Sequence, residues 1–427
     1  MDMSREACLD LSSASPMGGN RRNREGNRMA GPTRTVVADF EEPGWDYGIM
    51  RSPYHAFHRA NGAKFCVYNG RLMPVSQKID RLDGYRVLRQ AVGLFDTGER
   101  PIAIEGPDAL ALCKKVFARD ISKVKPGRAA YGLLLYPDGG ILCDGVLMRL
   151  AEDCFWYVQA DGPVYSWLVA HAQRLNVQIS DPRSWVAQVQ GPRALDVLAA
   201  ACDTPLTEPF GYFGVTTATM GGQKVILSRT GWTAEAGWEF YTLPDAPGYD
   251  GEALWRHILK AGEPFGMKVC ALDSMDIRRI EAGILNNVSD MDETMNPFEA
   301  GLGSFIKLDG TDFIGKSALV NAPRGVRVHG LRCTPGEPLI GGELRAGGRR
   351  IGMVSAAAWS PLYDAGVAII RLDRAEDVQA PEVSVQCRDL SFQRATIVPM
   401  PMYDAEKRIP RGQDTEIPQF GLAGQPA

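Results

Sequence analysis

The most informative residue for chemistry in this chain is a carboxylate inside an apolar segment. Asp144 follows the turn PDGG (residues 137–140) and interrupts the apolar run ILCDGVLM (residues 141–148). A carboxylate is costly to bury unless a hydrogen bond or charge satisfies it, and such groups are enriched at functional sites. Asp144 is therefore a candidate site residue. The alternative is a hairpin in which Asp144 points to solvent, and residue type alone leaves both possibilities open.

Two further segments can supply a flat ring and a cation. Residues 225–241 predict two strands joined by a glycine-containing turn, and Trp232 there offers a planar face, although tryptophan more often packs in a core. Residues 271–283 predict an amphipathic helix that ends at a glycine. On this helix Arg279 follows Asp276 by three residues. Arg279 either forms an exposed ion pair with Asp276 or enters a cleft and binds a ligand carboxylate.

Aromatic and imidazole side chains in the first half of the chain can recognise and activate a small substrate. Tyr54, Tyr68 and Trp156 present ring faces that attract a sulfonium or ammonium group. His55 and His58 can exchange a proton with a phenol near neutral pH, as cleavage of an aryl methyl ether requires. Surface or structural roles for these side chains are the alternative.

Length and composition exclude several function classes. A chain of 427 residues can form two or three domains, and a net charge of −4 gives no electrostatic argument for nucleic-acid binding. No apolar run approaches the roughly 20 residues that span a bilayer. The nine cysteines are scattered without a CxxC pair, which is typical of reduced thiols, so we expect a cytoplasmic protein. Without metal-ligand spacing among five histidines, no metal site is expected.

A weak internal repeat organises the middle of the chain. Residues 101–116 (PIAIEGPDALALCKKV) and 186–201 (VAQVQGPRALDVLAAA) each predict a strand, a Gly-Pro turn and an amphipathic helix. Gly106 and Gly191 permit the sharp turn that precedes each helix. The spacing of the two segments predicts two related α+β units that face each other across a cleft, where a ligand commonly binds.

The two ends of the chain differ from this middle region. Residues 1–34 lack apolar periodicity and predict a disordered tail, while residues 326–399 are rich in strands and glycine turns and predict a β-barrel-like domain. From about residue 404 onward the chain is polar and is expected to follow the surface as irregular structure.

Taken in chain order, the segments of residues 52–374 resemble the T-protein of the glycine cleavage system and its folate-dependent aminomethyltransferase superfamily. The landmarks of this resemblance are LFD (94–96), GGILCD (139–144), VQGP (189–192), TGWTAEAGWE (230–239), DIRRIEAG (276–283), MDET (291–294) and DFIG (312–315).

The resemblance implies an α+β fold, a three-domain cloverleaf around a central folate channel. Two related α+β units would combine residues 35–91 with 185–275 and residues 92–184 with 276–322. Residues 323–427 would form the C-terminal β-barrel-like domain and its tail.

The resemblance also implies roles for individual residues around tetrahydrofolate. Asp144 matches the catalytic aspartate beside the reactive folate nitrogens, and Glu239 matches the glutamate that accepts hydrogen bonds from the pterin ring. Trp232 replaces a family tyrosine but keeps a planar aromatic face. The remaining residues of the expected cofactor-binding set are Tyr131, Gln159 and Arg279.

Two departures favour demethylation over aminomethyl transfer. Cys143 stands where glycine-cleavage enzymes usually have a second aspartate, and residues 65–74 look more like the dimethylsulfoniopropionate demethylases of the superfamily. We therefore predict a tetrahydrofolate-dependent demethylase that moves a methyl group from a small sulfonium or ammonium donor and yields 5-methyltetrahydrofolate. Its catalytic set would be Asp144, His55 and His58, and its donor would contact Tyr54, Tyr68 and Trp156.

Three alternatives stay open at this point. One is an O-demethylase of an aromatic methyl ether, and another is a non-catalytic folate-binding assembly or repair protein. The third makes Cys143 a nucleophile, although no neighbour in sequence would lower its pKa. The expected partners are tetrahydrofolate and a small methyl donor, without nucleic acid or membrane, in a monomer or homodimer.

Overall fold

The computed structural model describes residues 36–37, 49–207, 210–310 and 312–419. The predicted disordered tail, residues 1–34, lies outside them. The first part of the chain forms a three-stranded sheet, two helices and the first strand of a larger sheet. These elements are β1 (Val36–Val37), α1 (His55–Ala60), β2 (Lys64–Tyr68), β3 (Arg71–Ser76), α2 (Arg81–Gln90) and β4 (Gly93–Thr97).

The next two segments of the chain repeat one arrangement. The first consists of β5 (Arg100–Glu105), α3 (Ala109–Val116), β6 (Arg128–Leu135), β7 (Ile141–Ala151), β8 (Cys154–Gln159), α4 (Val164–His171) and β9 (Gln178–Ser180). The second consists of β10 (Val186–Gln190), α5 (Ala194–Ala201), β11 (Val215–Met220), β12 (Gln223–Ser228), β13 (Gly237–Thr242), α6 (Gly251–Gly262), β14 (Lys268–Val269) and α7 (Leu272–Glu281).

Sheet topology confirms the repeat that the sequence predicts. The strand orders are β6-β7-β8-β5-β9 and β11-β12-β13-β10-β4-β14, so in each unit a three-stranded meander returns to pair with the opening strand. The opening strands end at Gly106 (φ +129°) and Gly191 (φ +135°). A Cβ at Gly191 would lie 2.6 Å from the carbonyl oxygen of Ala91, so this turn requires glycine.

Strand β4 pairs with β10 and therefore belongs to the second sheet. The predicted boundary after residue 91 separates β4 from that sheet. We accordingly propose that the boundary between the two units follows residue 97 instead.

The two sheets pack against each other through a buried apolar layer. Met148 and Trp156 of the first sheet meet Val186, Ile226 and Tyr241 of the second, and the rings of Trp156 and Tyr241 lie 6.5 Å apart at 72°. Alternation along each strand directs these side chains to one face. The packing fixes the position of the polar strand residues that lie at the edge of the layer.

The C-terminal region is a closed six-stranded barrel preceded by helix α8 (Lys316–Val320), as expected for a β-barrel-like domain. Its strands are β15 (Val328–Cys333), β16 (Glu343–Ala346), β17 (Arg349–Ser360), β18 (Ala365–Leu372), β19 (Val383–Gln386) and β20 (Phe392–Val398), in the order β15-β18-β17-β16-β19-β20. Helix α7 packs between α2 and strands β17 and β18. The protein thus has the expected α+β architecture, with two related units and a barrel.

No helix within the described ranges is both long and apolar enough to cross a membrane.

Candidate active site

A cavity of about 770 Å³ lies where the two sheets, helix α7, the barrel and the C-terminal segment meet. This volume is in the range of small-molecule sites. Six residues that the sequence singles out line it together: Tyr68, Tyr131, Asp144, Gln159, Trp232 and Glu239. They are far apart in the chain, and strands β2, β6, β7, β8 and β13 and the loop before β13 bring them to one space.

Asp144 is a buried acid with unused hydrogen-bonding capacity. It is 8% exposed, which rules out the solvent-facing hairpin. The Tyr131 hydroxyl donates to Asp144 Oδ2 over 2.9 Å, while Oδ1 is buried and receives no hydrogen bond from the described residues. Burial raises the pKa of Asp144 to about 6, and the Tyr131 bond partly opposes this rise. Asp144 therefore changes charge close to neutral pH.

Cys143 has the properties of a structural thiol. It is fully buried, and its Sγ donates to the carbonyl oxygen of Asp144 over 3.2 Å. Burial and the negative charges of Asp144 and Asp161 raise the pKa of Cys143 well above its ordinary value. A reactive cysteine needs the opposite environment, so this geometry gives no support to a nucleophilic Cys143.

Glu239 is a second buried acid in the cavity wall, and two hydroxyl groups hold it. Its Oε2 accepts hydrogen bonds from the hydroxyls of Thr230 and Tyr241, each at 2.6 Å. Burial, followed by the negative charge of Glu99, raises the pKa of Glu239 to about 8. Its pairing with Gln188 of β10 fixes its place in the sheet.

Gln159 contributes an unsatisfied acceptor to the same wall. The side chain is 4% exposed, and its Nε2 lies 3.5 Å from Oδ1 of Asn69. Its Oε1 is buried and has no hydrogen-bond partner among the described residues. A buried acceptor of this kind favours a ligand that brings an N–H or O–H group.

Arg279 lies behind the cavity wall and does not line it. It is 4% exposed, donates to Oδ1 of Asp276 over 3.1 Å and forms a second ion pair with Asp290. The centre of its guanidinium lies 5.1 Å from the Trp232 ring centroid. The pair with Asp276 exists, but its arginine is buried and its aspartate is partly exposed, and the guanidinium is committed to protein groups. Arg279 is therefore placed to position Trp232 and Asp290.

Four residues that the sequence proposes for donor binding or catalysis lie away from the cavity. Tyr54 is fully buried and stacks on Trp255 at 4.5 Å, while Trp156 belongs to the layer between the sheets. His58 is fully buried, with Nε2 3.2 Å from Oδ2 of Asp96. The fourth residue, His55, packs against Phe65 at 4.7 Å, and burial and nearby arginines lower its pKa.

These placements correct the proposed donor site, because only Tyr68 of its three aromatic residues lines the cavity. Both histidines belong to helix α1, and neither contributes to the cavity wall. The arrangement thus gives His55 and His58 no access to a ligand held there.

Several cavity residues are absent from the sequence-based set. Glu99 and Gln188 line the wall near Glu239, and Lys407 and Arg411 reach it from the irregular C-terminal segment. Lys407 Nζ donates to the carbonyl oxygen of Ala282 over 2.8 Å, and burial together with the charge of Arg278 lowers its pKa to about 8. Its approach depends on long-range contacts, so no local pattern signals it. The signal for Glu99 is its position two residues beyond β4.

No group of three or more histidine, cysteine, aspartate or glutamate side chains in the described part of the chain is arranged to hold a metal ion.

Comparison with known proteins identifies relatives of the whole folded region. The family model of the GCVT N-terminal domain matches residues 54–310. An aminomethyltransferase of Moorella thermoacetica is 30% identical over 84% of this chain and 99% of its own length. A trimethylamine-oxide aldolase of Ruegeria pomeroyi is 31% identical over 81% of this chain, which corresponds to 46% of that longer protein.

A solved structure gives the same result for the fold. The glycine cleavage system aminomethyltransferase T from Bartonella henselae matches with a TM-score of 0.75 and 26% identity, covering 84% of this chain and 99% of that one. Aminomethyltransferases of this family and their tetrahydrofolate-dependent relatives use tetrahydrofolate as the one-carbon acceptor.

Proposed function

Because the chain belongs to the GCVT family, we propose that it transfers a methyl group from a small cationic donor to tetrahydrofolate. The observation that carries this proposal is the pairing of Tyr131 with Asp144 inside the cavity. One oxygen of Asp144 is held by the protein, and the other is buried without a hydrogen-bond partner among the described residues. The pKa of Asp144, about 6, suits a group that takes up a proton near neutral pH.

The side chains of the cavity fit a reduced folate. Glu239 and the unsatisfied Gln159 Oε1 are acceptors for the N–H groups of a pterin, and Trp232 offers a planar surface. The cofactor supplies a nucleophilic nitrogen, N5, that receives the one-carbon unit. We propose that Glu239, Gln159 and Trp232 hold the heterocycle so that Asp144 lies at its reactive nitrogens.

Asp144 would act as the base of the transfer. When N5 takes a methyl group, its proton must leave, and the Asp144 carboxylate would accept that proton. The pair of electrons in the broken carbon–sulfur or carbon–nitrogen bond remains with the donor, which becomes a neutral thioether or amine. The negative charge of Asp144 also favours a cationic donor in a site of low dielectric.

A sulfonium or ammonium donor has more support than an aryl methyl ether. Tyr68 and Tyr131 line the cavity, the Tyr131 hydroxyl contacts the Asp144 carboxylate, and aromatic faces attract such cations. An aryl ether would need an acid for the departing phenolate, and the histidines proposed for that role do not line the cavity. An assembly or repair role without catalysis would not require a buried, unsatisfied carboxylate oxygen such as Oδ1 of Asp144.

The test is a donor panel with tetrahydrofolate as acceptor. Purified protein is incubated with dimethylsulfoniopropionate, glycine betaine or a methoxybenzoate, and 5-methyltetrahydrofolate is measured by mass spectrometry. We expect product with a cationic donor and none with the aryl ether. Formation of product from the methoxybenzoate alone would contradict the choice of donor. Absence of both product and folate binding would contradict the enzyme proposal.

A further inference from the structure

A carboxyl group that the sequence-based set omits, Glu99, shares the cavity wall with Glu239. Glu99 follows β4 by two residues, whereas Glu239 lies in β13. Strand β10 lies between these two strands and pairs with both, and its Gln188 faces Glu239 in register. The two carboxyl groups therefore reach one end of the cavity through sheet pairing.

Gln188 links this acidic end to the aromatic surface. Its Nε2 lies 3.3 and 3.4 Å from the two carboxyl oxygens of Glu99, and its Oε1 accepts a hydrogen bond from the backbone N–H of Trp232 over 3.2 Å. The Thr97 hydroxyl donates to Glu99 Oε2 over 2.6 Å. The carboxyl of Glu99 is thus held in a fixed orientation by side chains of two strands.

The two acids keep hydrogen-bonding capacity for a ligand. Both protein donors to Glu239 go to Oε2, and no described residue donates to its Oε1. On Glu99, the 2.6 Å hydrogen bond from Thr97 goes to Oε2. Among the described residues, only Gln188 Nε2 contacts Oε1, at 3.3 Å.

The charged and titratable groups around the pair come from several elements. They are Arg71, Tyr212, Arg229, Tyr241 and Arg411. Arg71 Nη1 donates to the backbone carbonyl oxygen of Glu99 over 2.9 Å, and Arg229 donates to the carbonyl oxygens of Phe210 and Gly237. Burial raises the pKa of Glu99, and the positive charge of Arg71 partly opposes this effect of burial.

We infer that Glu99 and Glu239 form one recognition unit for the heterocycle, in which the pair shares one proton, so that one carboxyl group donates a hydrogen bond to the ring while the other accepts N–H hydrogen bonds. This inference rests on the proposed function. It makes Glu99 a specificity-determining residue, because a ring with both donors and acceptors along one edge would satisfy the two carboxyl groups at once.

The electrostatics agree with one shared proton. Burial raises the pKa of Glu99, and burial and the charge of Glu99 raise the pKa of Glu239 to about 8. Two neighbouring carboxylates in a buried site do not both ionise readily, so the pair keeps a proton at pH 7. Above about pH 8, the pKa of Glu239, the proton is lost, the pair becomes doubly negative, and neither carboxyl group can donate.

The experiment measures equilibrium binding of 5-formyltetrahydrofolate, a stable reduced folate, to the full-length protein between pH 6 and 9.5. For the unmodified protein we expect nearly constant affinity up to pH 7.5 and a fall approaching tenfold per pH unit above pH 8. Glu99→Gln keeps a donor at every pH, so its affinity should stay within about threefold of the unmodified protein at pH 7 and lose the alkaline fall.

Two further variants make the result specific. Glu239→Gln should also lose the alkaline fall, because a single remaining carboxyl group cannot form a doubly negative pair. Glu105→Gln, an exposed acid on β5, should match the unmodified protein. Thermal melts establish that each variant is folded.

The possible failures are distinguishable. Folate binding with a flat pH profile in the unmodified protein, or an alkaline fall that persists in Glu99→Gln, would overturn the inference and leave the proposed function intact. Absence of folate binding by the unmodified protein at every pH would overturn the proposed function, and the inference with it.

Discussion

The Tyr131 hydroxyl donates to Oδ2 of Asp144 over 2.9 Å, while Oδ1 has no hydrogen-bond partner in the described part of the chain. The two residues lie on adjacent strands, β6 and β7, whose register pairs Tyr131 with Val146 and Leu133 with Asp144. One diagonal contact across the hairpin thus orients the carboxylate of Asp144. Its pKa of about 6 suits a general base that works near neutral pH.

Replacement of Asp144 tests its role as the base. We expect Asp144→Asn to lower the rate of methyl transfer by about 10²- to 10⁴-fold, since an amide cannot accept the proton. Folate affinity should change by less than about fivefold, because Glu239 and Gln159 remain. Steady-state rates and equilibrium folate binding measure the two effects.

The matched control is Asp153→Asn, which changes an exposed acid in the β7–β8 hairpin and should retain full activity. An Asp144→Asn variant with unchanged turnover would remove Asp144 from the mechanism.

The pH dependence of turnover tests the Tyr131 bond. If the carboxylate of Asp144 is the active form, activity is lost as pH falls through its pKa of about 6. The Tyr131 bond favours the charged form, so Tyr131→Phe should raise the pKa of Asp144 and move the acid limb of the rate profile to higher pH.

Tyr165→Phe, which alters an exposed tyrosine on α4, should leave that limb in place. An acid limb that stays fixed or moves to lower pH in Tyr131→Phe would contradict the assignment.

Replacement of Arg279 should lower the free energy of unfolding. Asp290 is fully buried and is paired with Arg279, so Arg279→Met would leave a buried carboxylate without its partner. We expect the free energy of unfolding in urea to fall by about 3–5 kcal/mol.

The control Arg256→Met removes an exposed pair with Glu252 on α6, for which a loss below about 1 kcal/mol is expected. Equal losses in the two variants would contradict the positioning role of Arg279.

Substitutions of Trp156 and Trp232 should differ in their effects on folding stability and on folate binding. Trp156→Ala opens a cavity between the sheets and should cost about 3–5 kcal/mol of folding free energy without weakening folate binding by the folded protein. Trp232→Ala should weaken folate binding by up to about tenfold with a smaller loss of stability, because Trp232 lines the cavity and is only partly buried. If Trp156→Ala weakened folate binding while Trp232→Ala mainly lowered stability, the assignment of Trp156 to packing and of Trp232 to ligand binding would be contradicted.

The sequence predicted the parts of the fold that depend on local pattern. Gly106 and Gly191, each after an alternating strand and before an apolar helix, marked the repeat that the two sheets display. Asp144 stood out because it interrupts an apolar strand. Glu239 was predicted as a site residue from the family resemblance, since nothing in its local sequence distinguishes it from a surface acid.

Other side chains were misplaced because tertiary contacts decide where they point. His58 is paired with Asp96 and lies beside Trp255 in the core, and its spacing from His55 in helix α1 contains no information about that core. Glu99 reaches the cavity only because β4 pairs with β10, a strand about ninety residues later in the chain. A pairing between strands so far apart in the sequence produces no periodic residue pattern that would predict it.

The most direct test of the account follows the methyl carbon. The protein is incubated with tetrahydrofolate and the cationic donor of the panel that gives product, dimethylsulfoniopropionate or glycine betaine, carrying ¹³C in its S-methyl or N-methyl groups. The label is located by NMR, with Asp144→Asn in parallel. The account predicts ¹³C on N5 of tetrahydrofolate, dependent on Asp144, with a neutral thioether or amine as the second product. Label that stays on the donor while folate binds, or equal labelling by Asp144→Asn, would contradict it.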